Sequence, residues 1–332
     1  MREITAEEVR EYLKPLLDRE VDLDKVRRDL QIDKGSKSWD GIRVIMFRLA
    51  QEKVVKPSGK RDGIYKVLKP VKSVPIFSVV RERRPPFPLI FPKDFNTGME
   101  MSFAEHVVIR EGDCVLIPGM SNWGKTTLAM NFLAENIDYH PVLLGNEFTK
   151  GDEPTPRFLN RLDAIDWVEW VNSDGQDKFT LLSVYSDFAD YVIKDRINII
   201  DWVNLPGEYY MISAVMEGIK QAIGNGIAVV VLQKNPDIEY GRGGWMTKDF
   251  ADLELLVDKH SETESRLTIG KVKEYTGHVT GRSWAYGIEK GVRIINLREV
   301  KRCLRCFGKK WRKQGMTSIP CENCRQTGFV DA

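Results

Sequence analysis

The stretch "CVLIPGMSNWGKTTLAMNFL", residues 114–133, constrains this chain more than any other. Gly119, Gly124, Lys125 and Thr126 have the G-x-x-x-x-G-K-[ST] spacing of a phosphate-binding loop. The apolar run 114–117 reads as a buried strand and 127–133 opens a helical pattern, so the glycines fall at a strand-to-helix turn. Backbone N–H groups at the start of such a helix cradle an anion that side chains would otherwise obstruct. Gly119, Met120, Ser121, Asn122, Trp123, Gly124, Lys125, Thr126 and Thr127 are therefore the candidate nucleotide-binding residues. Lys125 is placed to reach the β/γ-phosphates, and the Thr126 hydroxyl to ligate Mg²⁺. Trp123 lies in the variable interior of the loop, where its ring can pack either on the loop or on a neighbouring subunit.

Residues 96–300 alternate strand-like and helix-like runs, the pattern of an α/β domain with a mainly parallel sheet. In such sheets ligands gather at the carboxyl ends of the strands. PVLLGNE ends an apolar run at Glu147, INIIDWV ends another at Asp201, and IAVVVLQKN ends a third at Gln233. The last follows a helix whose apolar face is Ile212, Val215, Met216, Ile219 and Ile223. Asp201 is the candidate to support Mg²⁺, Glu147 to orient and activate an attacking water, and Gln233 to sense the γ-phosphate and pass its state to the next loop. With Lys125 they are the catalytic candidates, and together they favour a nucleotide hydrolase.

Fifty Lys and Arg face 48 Asp and Glu, a net charge of +2, so nucleic-acid binding requires local patches rather than a global field. The N-terminus is charged and amphipathic, and no run approaches a membrane-spanning length. These features predict a soluble cytoplasmic protein of a reducing compartment.

Residues 1–70 read as a separate unit. TAEE at 5–8 is a capping-box signature, followed by helical faces over 9–17, 22–32 and from Ser38 onward (Trp39, Ile42, Met46, Leu49). VVKPSGKRDGIYKVL then reads as two short strands around a basic turn. Three helices and a basic hairpin resemble a winged helix-turn-helix domain, which implies duplex DNA contacts through the third helix and the wing. The candidates are Lys37, Arg43, Arg48, Lys60 and Arg61; docking to a protein is the alternative. Residues 71–95, rich in proline and with a basic cluster at 81–84, read as an extended linker.

The ordered set GMSNWGKTT, VLLGNE with TPRFLNRL after it, NIIDWVNLP, VVVLQKN, DFADLELLV and KVKEYTG resembles the RecA-type P-loop ATPases, closest to the DnaB-type replicative helicase core. The resemblance covers roughly 96–300. It implies a RecA-like fold, a homo-oligomeric ring or filament, ATP sites between subunits, and work on DNA in replication or recombination. In that family a K-x-R pair acts as a finger on the neighbour's ATP; the matching residues here are Lys271 and Lys273, with Arg282 an alternative. The segment after Gln233 matches the place of a DNA-binding loop, with Tyr240, Arg242, Trp245 and Lys248 as candidates for single-strand contact. The helical collar domain usual in the DnaB type is missing at the N-terminus. Three functions follow: a helicase-like motor, a strand-exchange recombinase or its mediator, and an ATP-regulated protein that binds DNA or loads a partner.

Residues 301–332 carry Cys303, Cys306, Cys321 and Cys324 as C-x₂-C, fourteen residues, C-x₂-C. This is close to a zinc-ribbon spacing, in which four thiolates complete a closed structural Zn²⁺ site. Lys309, Lys310, Arg312 and Lys313 surround Trp311 between the pairs, a composition compatible with docking either nucleic acid or protein. Cys114, alone in the P-loop strand, reads as a small buried apolar residue.

Overall fold

The structure, a computed structural model, describes residues 4–70, 73–78, 84–203, 211–234, 246–314 and 316–332. Its contacts fall into two units, Met1–Arg83 and Arg84–Ala332.

In the first unit the capping box forms as its sequence requires: Glu8 N–H donates to the Thr5 hydroxyl (3.2 Å) and Thr5 N–H to the Glu8 carboxylate (2.9 Å). Helices run Ala6–Leu13, Leu23–Asp29 and Lys37–Gln51, the latter two capped by Asp22 and Ser36. Val9, Leu13, Val26, Ile42, Met46 and Leu49 make the shared core. Val55–Pro57 and Ile64–Val67 pair antiparallel as expected, and a third strand, Glu20–Asp22, adds to the outer edge of Ile64–Val67. That strand is three residues long, too short to show a period of its own.

The second unit is built on one ten-stranded sheet. Its strands are β1 (Cys114–Gly119), β2 (Val142–Leu144), β3 (Thr180–Leu182), β4 (Ile197–Val203), β5 (Ile227–Gln233), β6 (Leu253–Lys259), β7 (Glu264–Val272), β8 (Ser283–Glu289), β9 (Arg293–Arg302) and β10 (Phe329–Asp331). The order is β10-β9-β8-β7-β6-β1-β5-β4-β2-β3. From β6 through β3 every pairing is parallel. The fold is thus α/β, with a mainly parallel sheet half extended by antiparallel strands, a small helix-and-hairpin module earlier in the chain and a cysteine module at its end.

The parallel strands are buried on both faces, which is why they read as continuous apolar runs. Alternate residues of β1 go to opposite sides: Val115 and Ile117 join the core beneath the P-loop helix Lys125–Glu135, whereas Cys114 and Leu116 join the core beneath helix Ile212–Ala222. Burial pushes the Cys114 thiol up to about 12, so it is an inert packing residue.

Beyond β6 the sheet continues through four antiparallel strands, an extension that the parallel pattern does not announce. The turn between β8 and β9 props the P-loop helix: the Thr127 hydroxyl donates to the Gly291 carbonyl (2.9 Å) and the Asn131 amide to the Val292 carbonyl (2.7 Å). Residues 87–95, expected as part of an extended linker, instead pack on this core through Leu89 and Phe91. Phe87 N–H bonds the Ile109 carbonyl. Proline keeps the segment out of a strand ladder but leaves its apolar side chains free to be buried. Among the described residues no helix is long and apolar enough to cross a membrane.

Gly145, just past β2, sits where a Cβ would run into the Asp201 carbonyl and the Phe148 ring. Because the carbonyl belongs to a buried backbone that cannot swing aside, Gly145→Ala is expected to destabilise the chain by about 1–3 kcal/mol. Chemical denaturation would register this as a lower midpoint at unchanged slope.

Candidate nucleotide site and cysteine centre

The P-loop turn is formed by two residues with positive φ, Asn122 (66°) and Gly124 (89°), the latter capping the helix that starts at Lys125. Gly119 supplies a different freedom. A Cβ there would lie 2.7 Å from Lys125 Cγ and 2.9 Å from Val257 Cβ, so the aliphatic stem of Lys125 occupies the space that glycine leaves. Lys125 is 9% exposed, and its ammonium donates to the Met120 carbonyl (2.8 Å) across the loop.

The register of the sheet brings the other groups to the same end. Gln233 is paired with Gly119, and its amide donates to the Ser121 hydroxyl (2.7 Å). Asp201, 3% exposed in β4, accepts from the Thr126 hydroxyl and feels the charges of Glu147, Lys125 and Arg161. Burial, reinforced by Glu147, raises its carboxyl from 3.8 to about 6. Glu147 lies three residues beyond β2, exposed, and accepts from the Trp202 indole (3.2 Å). Lys125, Thr126, Glu147, Asp201 and Gln233 thus converge from four strands.

Two neighbours were not legible locally. Arg161, on helix Pro156–Ala164 behind Glu147, contributes to the field at Asp201. Lys259, at the end of β6, holds its ammonium 5.4 Å from the centre of the Trp123 ring. Trp123 therefore packs on its own chain, against the core under the P-loop helix. Thr127 is buried and its hydroxyl bonds Gly291, so the backbone N–H is the group it offers an anion.

The finger candidates are all engaged within the chain. Lys271 donates to the carbonyls of Lys248 (2.7 Å) and Asp249 (3.3 Å), and Lys273 to Asp252 (2.8 Å). Arg282 makes a two-point contact with Glu299 (2.7 and 2.6 Å). A role on a neighbouring subunit requires these pairs to open. Of the loop candidates, Tyr240, Arg242 and Trp245 lie outside the described residues. Lys248 is on helix Met246–Phe250 and pairs at 3.4 Å with Glu254, a carboxylate buried beside Gly270.

In the first unit, Arg43 and Arg48 are exposed on Lys37–Gln51, interleaved with exposed Val44 and Phe47, and Lys37 is exposed at its start. The wing cations are occupied: Lys60 pairs with Glu20 (3.0 Å) and Arg61 with Asp22.

At the C-terminus the four cysteines are buried, with all Sγ atoms within 4.8 Å of one another. Cys303 and Cys321 are 3.8 Å apart, Cys306 and Cys324 3.6 Å. A tetrahedral centre with Zn–S of about 2.3 Å requires S···S of about 3.8 Å, whereas a disulfide requires about 2.05 Å. The residues fit Zn²⁺. The Asn323 amide, donating to Cys303 Sγ (3.2 Å), lowers that thiol to about 6, as a ligand thiolate needs. Among the described residues only Val330 packs on the cysteine cluster as an apolar neighbour.

No family model and no curated protein matches the sequence. Among solved structures the chain is similar to the KaiC-like protein PH0186 from the hyperthermophilic archaeon Pyrococcus horikoshii OT3. The two are 18% identical with a TM-score of 0.43, over 63% of this chain and 99% of that one.

Two outcomes are expected from this geometry. Ionised Asp201 costs the metal-free fold stability above pH about 6, a cost absent below the ordinary carboxylate value of 3.8. Asp201→Asn should therefore stabilise the metal-free protein by about 1–3 kcal/mol at neutral pH, with the gain vanishing in acid; thermal melts across pH measure it. Removal of bound metal by a chelator, or Cys306→Ser, should unfold residues 303–328 while leaving the sheet's parallel half protected, which hydrogen exchange resolves.

Proposed function

We propose that this chain is an ATP-hydrolysing DNA motor of replication or recombination, resembling the DnaB-type helicase core. The bond from Gln233 to Ser121 carries the proposal. It ties the tip of the P-loop to the strand that runs directly into the segment holding the loop candidates. A phosphate drawing the loop inward breaks or redirects that bond, and the change passes along β5.

Bound Mg²⁺ supplies charge neutralisation of the transferred phosphoryl oxygens. The chain's own residues do the remainder. Thr126 and Asp201 hold the metal, Lys125 exchanges the Met120 carbonyl for phosphate, and Glu147 orients a water, its carboxylate held by Trp202. A neighbouring subunit in a ring or filament completes the site, through Lys271, Lys273 or Arg282 once released from their own-chain partners. DNA then contacts the segment around Tyr240, Arg242, Trp245 and Lys248.

A second reading, an ATP-regulated protein that recruits a partner, is favoured by the first unit. Its wing cations Lys60 and Arg61 are already neutralised, and Val44 and Phe47 stand exposed between Arg43 and Arg48. An apolar centre with an arginine rim suits a protein partner better than a DNA groove.

ATP hydrolysis with and without single-stranded DNA separates the two. The motor reading expects DNA-stimulated turnover that Lys125→Ala lowers by at least about 100-fold. Turnover indifferent to single strands would overturn the motor and leave the regulator.

A further inference from the structure

We propose that the exposed face of the C-terminal ribbon binds single-stranded nucleic acid, with Phe307 and Trp311 stacking on bases and Lys309, Lys310 and Lys313 meeting phosphates. This is independent of the ATPase reading, which places contacts in the segment after Gln233.

The first observation is charge. Residues 301–328 contain eight Lys or Arg against the single carboxylate Glu322 in a chain whose total is nearly balanced. Even the two net negative charges of a Zn²⁺ held by four thiolates leave a strongly positive module. Elsewhere the described cations are commonly paired with carboxylates, the wing included. In the ribbon, among the described residues, only Arg312 approaches one, Glu322 at 3.9 Å. Unneutralised cations on a small module concentrate a positive potential that a polyanion relieves, releasing its counterions.

The second observation is apolar and independent of charge. Phe307 is 73% exposed and Trp311 48%, although the module's interior is the cysteine cluster and needs neither ring. Trp311 opens the hairpin of Trp311–Gln314 with Thr317–Pro320, and strand alternation puts Lys313 on its face. Phe307 sits in the first knuckle at φ 52°, next to Gly308 and Lys309. Rings flanked by exposed lysines match the platform on which unstacked bases lie while cations follow the backbone.

The choice between partners follows from residue type. Lysine is depleted in protein interfaces because its flexible, strongly hydrated ammonium is costly to immobilise and desolvate, whereas phosphates accept it as a point charge. A duplex buries its base faces, so exposed rings point to single strands. Stacking and phosphate contact are common to DNA and RNA, so both are probed.

The test uses full-length, zinc-loaded protein without ATP, fluorescently labelled oligo-dT and oligo-U, and anisotropy over a salt series. Trp311→Ala should weaken binding about tenfold, within the range of one lost stacking contact, with little change in salt slope; Trp311→Phe should restore most of it. Lys309→Gln, Lys310→Gln and Lys313→Gln together should lower the slope of log K against log salt by about 2. Metal content is measured in each variant, so that loss of the ring is told apart from loss of the zinc-held fold, and the lysine variant tests the face without touching the ring. Stronger binding of one oligonucleotide identifies the polymer, and either supports the site. Wild-type affinity in Trp311→Ala together with wild-type affinity and slope in the lysine variant, alongside loss of binding in Lys248→Ala, would overturn the proposal and leave the core segment as the contact. Binding of an acidic peptide but of neither oligonucleotide would overturn it in favour of a protein partner. Because hydrolysis is not read, these failures leave the ATPase reading standing.

Discussion

The nucleotide end of this fold depends on one close approach, that of the Lys125 stem to Gly119. The lysine must cross back over the loop to present its ammonium at the strand ends, and the space it uses is the volume a side chain at residue 119 would fill. Val257 of β6 closes the same gap from the other side, and β5 places Gln233 directly opposite. Helix, loop and three parallel strands are thus registered on one absent methyl group. The antiparallel extension serves the same end, since the β8–β9 turn pins the P-loop helix through Thr127 and Asn131.

Charge is distributed in two ways. Around the core, lysines close on buried or half-buried carboxylates: Lys220 and Lys273 on Asp252, Lys234 on Asp258, Lys248 near Glu254. Such pairs offset the cost of burying each carboxylate and fix the elements carrying them more than they add net stability. At the C-terminal ribbon, among the described residues, only Arg312 lies near a carboxylate, as a surface built to meet an external polyanion would require. Asp201 belongs to neither group: burial, reinforced by Glu147, weakens its acidity although the Thr126 hydroxyl, Lys125 and Arg161 pull the other way.

What could be read from the sequence was local. The capping box, the P-loop turn, the two cysteine knuckles and the strand-end acids each declare themselves within a few residues, because spacing alone sets their geometry. Residues whose meaning depends on a distant partner did not. Thr127 read as part of the loop, but nothing local showed that its hydroxyl bonds Gly291, 164 positions away. Trp123 had no assignable partner until the sheet brought Lys259 beneath its ring. Lys271, Lys273 and Arg282 read as finger candidates, yet each has an acceptor within the chain: the Lys248 carbonyl on helix Met246–Phe250, Asp252 just before β6, and Glu299 on β9. Proline content over residues 71–95 spoke for an extended path but not for the burial of Leu89 and Phe91, which backbone restriction does not oppose.

The central claim is that Lys125, Thr126 and Asp201 form one Mg²⁺-nucleotide site. Calorimetric titration of ATP with Mg²⁺ into the wild type and Lys125→Ala tests it most directly. The account predicts a single saturable site in the wild type that chelation of Mg²⁺ weakens and the substitution abolishes. Equal affinity in both proteins, or binding indifferent to Mg²⁺, would contradict it.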